Sequence, residues 1–200
     1  MSYSRDNPSA NYRRMVSLYR ELHTQGEKVL GLSADETYPG VNLLPHTRRI
    51  KDLIERTGSQ TVLDYGCGKG YQYDWPKVTI PGVGERDGVL DYWDIDEVRC
   101  YDPSFARYSK LPEGKFDGVI STDVLEHCYE EDIPWIVEEM FAYANRFVFA
   151  AIACYPAKTT LPNGENAHAT VRPIAWWQQI FTDAGSQHPD VMWKLFVEEH

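Results

Sequence analysis

The sequence predicts an α/β fold in which a mostly parallel central sheet carries helices on both faces. Short apolar runs typical of strands alternate along the chain with segments whose apolar residues recur at helical spacing. The most continuous apolar run, RFVFAAIAC at residues 146–154, is typical of a strand buried on both faces. Alternating strands and helices favour parallel pairing, because each parallel neighbour needs a crossover connection.

The first half of the chain is predicted to hold two helices and two strands. Apolar residues recur at helical spacing from Tyr12 to Leu22, which predicts an amphipathic helix over 10–24. Glycine and proline punctuate residues 25–41, which predicts a loop. The remaining elements are a helix opened by Pro45 and ended by Gly58, a strand over 61–64, an irregular excursion over 76–97 with room for a short strand or turn, and a strand over 98–101.

The second half repeats the alternation of strands and helices with longer elements. The predicted elements are a loop over 103–115, a strand over 117–121, a helix over 133–145, a strand over 146–154, a polar connection over 155–172, a helix opened by Pro173 and ended by Gly185, and a strand over 191–197. The strand-helix order therefore continues to the end of the chain.

The composition fits one cytoplasmic domain of 200 residues. Apolar residues make up 42% of the chain, and no apolar run reaches the roughly 18 residues of a membrane span. The N-terminus lacks the apolar region of a secretion signal. The net charge of −10, with scattered Lys and Arg, argues against nucleic acid as a partner. The four cysteines form no CxxC pair and are predicted to be reduced thiols.

The stretch TVLDYGCGKG, at residues 61–70, joins a strand to a turn with three glycines. Such a turn lies where parallel sheets bind ligands, and its glycines allow a ligand to approach the backbone closely. It lacks the ending of a phosphate-binding loop, and Asp64 at the strand tip would repel a phosphate and attract a cation. The stretch therefore indicates a ligand with ammonium, sulfonium and ribose groups, the alternative being a tight structural loop.

Residues 64–70, DYGCGKG, resemble the D-x-G-x-G-x-G motif of class I S-adenosylmethionine-dependent methyltransferases. Asp102, in VRCYD, lies where that superfamily holds the ribose hydroxyls, although an ordinary loop acid or helix cap is the alternative. The block FDGVISTDVLEH, at 116–127, resembles the superfamily's fourth strand and the turn after it. More closely, residues 101–127 and LPNGENAHATVRPIAWW, at 161–177, look like a subgroup of bacterial and phage methyltransferases.

The resemblance covers about residues 42–185 and implies a Rossmann-like domain with six or seven strands in its sheet. It implies two units, an N-terminal helix and loop over 1–41 as a candidate lid and a methyltransferase domain over 42–200. The cofactor would be S-adenosylmethionine, with S-adenosylhomocysteine as the product. The residues assigned to cofactor binding are Asp64, Tyr65, Gly66, Gly68, Gly70, Asp102 and Asp123.

Three features depart from the family pattern. The interval between Asp64 and Asp102 is longer than usual because of the 76–97 excursion. The third strand is reduced to a stub around 109–111, and no acid near the adenine marks its end. The usual seventh, antiparallel strand has no clear counterpart.

Two histidines are the candidate catalytic residues. Methyl transfer needs alignment of donor and acceptor, and a hydroxyl acceptor also needs a base. His127 ends the DVLEH turn, and His168 lies in the connection that covers the acceptor pocket in the superfamily. The alternatives are that His127 packs at the start of the following segment and that His168 is a solvated loop histidine. We therefore predict methyl transfer to a small-molecule or glycan-type acceptor, on oxygen.

Asp123 and Glu126 flank the same turn and suit an acceptor amine or a metal. The magnesium-dependent catechol-type enzymes of the superfamily need further acids that the sequence lacks, so no metal is predicted. Three other functions stay open: a methyltransferase-like protein that binds the cofactor without transfer, an enzyme that cleaves S-adenosylmethionine, and a nicotinamide-dependent oxidoreductase. Asp64 ahead of the glycines disfavours the last.

Overall fold

The computed structural model describes residues 3–199, which form an α/β fold around a five-stranded sheet. The strands are β1 (Thr61–Tyr65), β2 (Val78–Ile80), β3 (Gly84–Arg86), β4 (Glu97–Tyr101), β5 (Phe116–Thr122), β6 (Ala144–Ala153) and β7 (Met192–Glu198). The helices are α1 (Ala10–Gln25), α2 (Thr47–Thr57), α3 (Val89–Trp93), α4 (Ile133–Tyr143) and α5 (Ile174–Gln187). Residues 1, 2 and 200 of the two predicted units lie outside the described residues.

The central sheet has the order β4-β1-β5-β6-β7, and every neighbouring pair is parallel. The prediction of a parallel sheet is confirmed. The prediction of six or seven strands is wrong, because five strands form the central sheet within residues 3–199.

Two segments explain the smaller sheet. The predicted stub at 109–111 forms no strand, because the chain after β4 turns back and the N–H of Asp102 donates to the carbonyl of Tyr108 at 3.0 Å. At the other edge β7 pairs in parallel with β6, so no antiparallel strand lies between them. The excursion at 76–97 contains β2 and β3, which pair with each other as a separate antiparallel hairpin.

Side chains of the strands alternate between two cores, one on each face of the sheet. On one face, Leu63 and Val148 pack with side chains of α1, α4 and α5. On the other face, Val62 and Phe149 pack with side chains of α2, α3 and the β2–β3 hairpin. Both faces are therefore covered by helices, as the long apolar run of β6 predicted.

The bounds of these helices and strands lie within about two residues of the predicted ones, with local differences at two helices. Pro45 lies inside a short 3₁₀ turn, and α2 begins only at Thr47. Gly185 does not end α5, which continues to Gln187. A Cβ at Gly185 would lie 2.6 Å from the indole nitrogen of Trp193, so this glycine allows α5 to pack closely on β7.

Helix α1 has 16 residues and is capped at its N-terminus by Ser9, whose hydroxyl accepts from the N–H of Tyr12 at 2.9 Å. It ends at Gly26, which has a φ of 83°. Among the helices of residues 3–199, none combines the length and the apolar character needed to cross a membrane.

The connections from β1 and β5 leave in opposite directions across the sheet. The chain passes from β1 to β4 on one side and from β5 to β6 on the other. The carboxyl ends of β1 and β5 therefore form the position at which open parallel sheets bind ligands.

Candidate functional site

A cleft with two lobes lies at the carboxyl ends of β1 and β5. The smaller lobe, of about 100 Å³, lies beneath α1, and the larger lobe, of about 670 Å³, lies beside β5 and β6. The walls that both lobes share are Tyr38, Gly66, Gly68, Asp123 and His127. Ligand sites measure about 300–1,000 Å³, so the larger lobe alone has room for a small ligand.

Three left-handed glycines shape the glycine turn, which is residues 66–70. Their φ angles are 91° at Gly66, 58° at Gly68 and 63° at Gly70. A Cβ at Gly66 would lie 2.5 Å from a methyl carbon of Val124, and one at Gly68 would lie 2.5 Å from the carbonyl oxygen of Tyr38. Backbone conformation and close packing therefore both favour glycine here.

The backbone N–H groups of the glycine turn donate to acceptors of the protein itself. The pairs are Gly66 and Cys67 with the carbonyl of Tyr101, Gly68 with Asp102 Oδ2, Lys69 with the carbonyl of Tyr38, and Gly70 with the carbonyl of Cys67. A phosphate-binding loop presents such groups to its ligand instead. This turn is therefore not arranged to cradle a phosphate.

Asp64 is the penultimate residue of β1, and its carboxyl group is buried beside the larger lobe. The hydroxyl of Tyr73 donates to Asp64 Oδ2 at 2.8 Å. Burial raises the pKa of Asp64 to about 7, although the Tyr73 hydrogen bond lowers it, and the charge of Asp102 raises it further. A cation beside this carboxyl group would favour its ionised form, so the position suits a positively charged ligand group.

Asp102 follows β4 and lines the smaller lobe. Its Oδ1 accepts from the N–H of Ser104 at 2.8 Å, the hydroxyl of Ser104 at 2.5 Å and the N–H of Phe105 at 3.2 Å. Its Oδ2 accepts from the N–H of Gly68 at 3.0 Å. The carboxylate therefore ties the glycine turn to the loop after β4, and Oδ2 keeps capacity for one more donor.

Two further residues assigned to cofactor binding are Tyr65, just before the glycine turn, and Gly70, its last residue. The hydroxyl of Tyr65 donates to Glu139 at 2.6 Å and accepts from Arg5 at 2.6 Å, while its ring lines the smaller lobe. Gly70 packs against Cys100, whose sulfur would lie 3.0 Å from an added Cβ, and it lines neither lobe. Their roles in cofactor binding stay predictions.

A second group of polar side chains, the histidine cluster, lines the larger lobe and consists of Asp123, Glu126, His127 and His168. One potential ligand atom each from Asp123, His127 and His168 lies within 4.8 Å of the other two. The two imidazole rings meet edge to face with centroids 4.9 Å apart. The structure therefore brings together both predicted catalytic histidines and both acids of the DVLEH turn.

The two acids of the cluster are held by the turn after β5. Asp123 has a left-handed φ of 60°, and its N–H donates to the carbonyl of Ala151 at 3.0 Å. Glu126 is fully buried, and its Oε1 accepts from the N–H of Ala153 at 2.6 Å. Its Oε2 has no hydrogen-bond partner among residues 3–199. Burial, followed by the charge of Asp123, raises the pKa of Glu126 well above its usual range.

Backbone carbonyls orient both histidines of the cluster. Nδ1 of His127 lies 2.9 Å from the carbonyl oxygen of Ala167, and Nδ1 of His168 lies 2.5 Å from that of Tyr155. A carbonyl oxygen can only accept, so Nδ1 carries the proton in each ring and Nε2 keeps its lone pair. Burial lowers the pKa of His127, which favours this neutral form.

Sequence reasoning named residues 1–41 as a candidate lid but did not identify the side chains with which α1 and Tyr38 line the cleft. The hydroxyl of Tyr19 in α1 lies 2.6 Å from His127 Nδ1 and donates to the carbonyl of Ala167 at 2.9 Å. The helical stripe of α1 was visible in the sequence, but a stripe does not specify the surface it packs against. The Tyr-Pro-Gly run at 38–40 signalled only a turn.

Comparisons with protein-family models, curated proteins and solved structures find no match to this chain. The functional conclusion therefore depends on the residues and geometry of the cleft.

Proposed function

We propose that the protein is a Rossmann-like, S-adenosylmethionine-dependent methyltransferase acting on a hydroxyl of a small-molecule or glycan-type acceptor. The proposal depends on one observation, the pairing of two carboxyl groups with a glycine turn whose N–H groups are already bonded. Asp64 opens on the larger lobe and Asp102 on the smaller lobe, and both lobes share the turn. A ligand with a cationic end and a ribose, but no phosphate, suits this arrangement.

The residues present fit that cofactor at its two polar ends. Asp64 supplies a buried negative charge for an amino or sulfonium group. Asp102 Oδ2 accepts one internal hydrogen bond and has capacity for a ribose hydroxyl. The smaller lobe adds an apolar and aromatic wall from α1 that suits a purine, formed by Tyr12, Met15, Val16 and Tyr19.

The smaller lobe must widen before it holds a nucleoside, because about 100 Å³ is well below the roughly 300 Å³ of typical ligand sites. Helix α1 and Tyr38 form one side of this lobe, and both belong to the 1–41 unit. A displacement of this unit on binding is therefore part of the proposal, which gives residues 1–41 the role of a lid.

The cofactor supplies a methyl group that its positively charged sulfur already activates. The chain aligns donor and acceptor, keeps water out and takes a proton from the acceptor hydroxyl. His127 and His168 suit the last task, because Nε2 of each ring keeps its lone pair while Nδ1 is bonded to a carbonyl. Both line the larger lobe beside Asp64, which supports that lobe as the place for the acceptor.

The test is a calorimetric titration of the full chain at pH 8 with S-adenosylmethionine, S-adenosylhomocysteine and NAD. We expect binding of the two adenosyl ligands and no binding of NAD. Asp64→Asn should weaken binding at least about tenfold, since it removes the negative charge. The matched control is Asp183→Asn, an exposed position on α5 that should leave binding unchanged. A folded wild-type protein that binds neither adenosyl ligand would refute the proposal.

Turnover separates the proposal from its two rivals. Methylated product from an acceptor panel supports methyl transfer. Binding without product across the panel favours a cofactor-binding protein, and breakdown of S-adenosylmethionine without any acceptor favours a cleaving enzyme.

A further inference from the structure

The histidine cluster has the composition and spacing of a metal site. Two imidazoles and one carboxylate, from His127, His168 and Asp123, each offer one atom within 4.8 Å of the others. Ligands about 2.1 Å from a tetrahedral ion lie about 3.4 Å apart, so a closure of about 1.4 Å or less completes the site. Rotation of the side chains is enough for that closure.

The hydrogen bonds of the two histidines fit metal ligation. Histidine ligands donate the N–H of the other ring nitrogen to a carboxylate or carbonyl, which fixes ring orientation and tautomer. His127 and His168 both do so through Nδ1, at 2.9 Å and 2.5 Å from backbone carbonyl oxygens. Tyr19 adds a contact to His127 Nδ1 at 2.6 Å. Nε2 of each ring is therefore the nitrogen whose lone pair is available to an ion.

Glu126 gives an independent indication of a missing partner. Its side chain is completely buried against the larger lobe, yet Oε2 has no hydrogen-bond partner among residues 3–199. A buried carboxyl oxygen without a partner is costly in free energy. A cation beside Asp123 would offset that cost.

We infer that Asp123, His127 and His168, supported by Glu126, bind one divalent transition-metal ion in the larger lobe. Imidazole ligands suit Zn²⁺ and Co²⁺ better than Mg²⁺ or Ca²⁺, which prefer an all-oxygen shell, and the mixed shell of two imidazoles and a carboxylate also admits Mn²⁺ more weakly. The inference departs from the sequence-based prediction of no metal. That prediction considered acids alone, whereas the connection after β6 brings His168 beside the turn after β5.

The ion would also bind the acceptor in the same lobe, and this part of the inference rests on the proposed function. Three protein ligands leave positions open to the larger lobe, where an acceptor could bind through an oxygen. The acceptor class would then be an alcohol or polyol. With the ion bound, the histidines would act as ligands and no longer as bases, and the ion would lower the pKa of the bound hydroxyl.

The test is a calorimetric titration of the chelator-treated full chain with Zn²⁺, Co²⁺, Mn²⁺ and Mg²⁺, without cofactor. We expect one ion per chain for at least one of the first three, with Mg²⁺ binding at least about tenfold more weakly. His168→Ala and Asp123→Asn should each weaken binding at least about tenfold. His188→Ala, a partly exposed histidine paired with Glu138, is the matched control and should bind the ion as the wild type does.

Absorption of the Co²⁺-loaded protein reports the ligands directly, and we expect bands that change in His168→Ala and persist in His188→Ala. Circular dichroism shows whether each variant is folded. If one variant fails to fold, the ion affinity of Glu126→Gln and the absorption spectrum of the Co²⁺-loaded wild type still test the inference. No stoichiometric binding, or equal binding by wild type and every folded cluster variant, would overturn the inference as adventitious association. These titrations contain no S-adenosylmethionine, so their failure is distinct from failure of the proposed function.

Discussion

The glycine turn and the histidine cluster lie on opposite sides of one cleft, and their polar groups are satisfied to very different degrees. On the glycine side, Asp102 accepts four hydrogen bonds from the chain, and every N–H of residues 66–70 is bonded internally. On the histidine side, Glu126 Oε2 has no partner within residues 3–199, and two imidazoles keep a free nitrogen.

The glycine side therefore stabilises the shape of the cleft in addition to the ligand contacts proposed for it, whereas the histidine side has polar groups that only a ligand would satisfy. Satisfied polar groups stabilise the fold, whereas buried polar groups without partners cost free energy and are typical of functional sites. Substitutions on the glycine side should therefore reduce stability first. Substitutions in the histidine cluster should reduce function first.

The largest expected effect is the loss of methyl-transfer rate in His127→Ala and in His168→Ala. Positioned acid-base groups contribute about 10²–10⁴-fold, so each variant should lose a rate factor of this order. The measurement is product formation with an acceptor found in the panel, with His188→Ala as control. Unchanged rates in both cluster variants would contradict any catalytic part for these side chains.

The free energy of unfolding should change with pH by about 4 kcal/mol because of Asp64. Its folded pKa of about 7 lies above the usual value of 3.8, so its stabilising contribution is complete below pH 4 and is lost as the pH rises through 7. Relative to Asp64→Asn, the wild type should therefore lose about 4 kcal/mol of unfolding free energy between pH 4 and pH 8. Urea titrations of both proteins measure this difference.

Cofactor affinity should follow the opposite trend at Asp64, because a cation favours the ionised carboxylate. Binding by the wild type should strengthen about tenfold per pH unit below 7 and level off above it. Asp64→Asn should show neither trend. If the cofactor affinity of the wild type does not change with pH below 7, the carboxyl group of Asp64 titrates at its ordinary value.

Asp102→Ala should cost about 3 kcal/mol of unfolding free energy, because it leaves buried donors of Gly68, Ser104 and Phe105 without an acceptor. Glu126→Gln is the matched change across the cleft and should be neutral or stabilising, since it removes a buried acid with an unpartnered oxygen. Denaturant unfolding of the two variants compares them directly. An equal loss in both would remove the distinction between the two sides.

The smallest effect is at the glycines themselves. Gly68→Ala should cost about 2 kcal/mol, combining the left-handed φ with a contact 2.5 Å from the Tyr38 carbonyl oxygen. Gly164→Ala isolates the conformational part, about 1 kcal/mol, because its φ is 85° and nothing lies within 4 Å of the added carbon. Thermal unfolding should order the proteins as wild type, Gly164→Ala and Gly68→Ala.

Much of the fold could be predicted because its signals are local. The apolar period that differs between helix and strand placed α1, β1, β5 and β6 within two residues of their observed bounds. The predictions failed where contacts between residues far apart in sequence decide the structure. Residues 109–111 are an example, because they form no strand. The prediction that Gly185 ends α5 is wrong for the same reason, since this glycine allows close contact with Trp193 and the helix continues beyond it.

The sequence by itself determined the parallel α/β order, the glycine turn and the two carboxyl groups at adjacent strand ends. Local periodicity and left-handed glycines specify these features without knowledge of distant contacts. Only the tertiary structure decided that five strands form the sheet, that α1 and Tyr38 close the smaller lobe, and that His168 meets His127. These features depend on how residues far apart in sequence pack and share hydrogen bonds, and packing of that kind leaves no periodic signal in the chain.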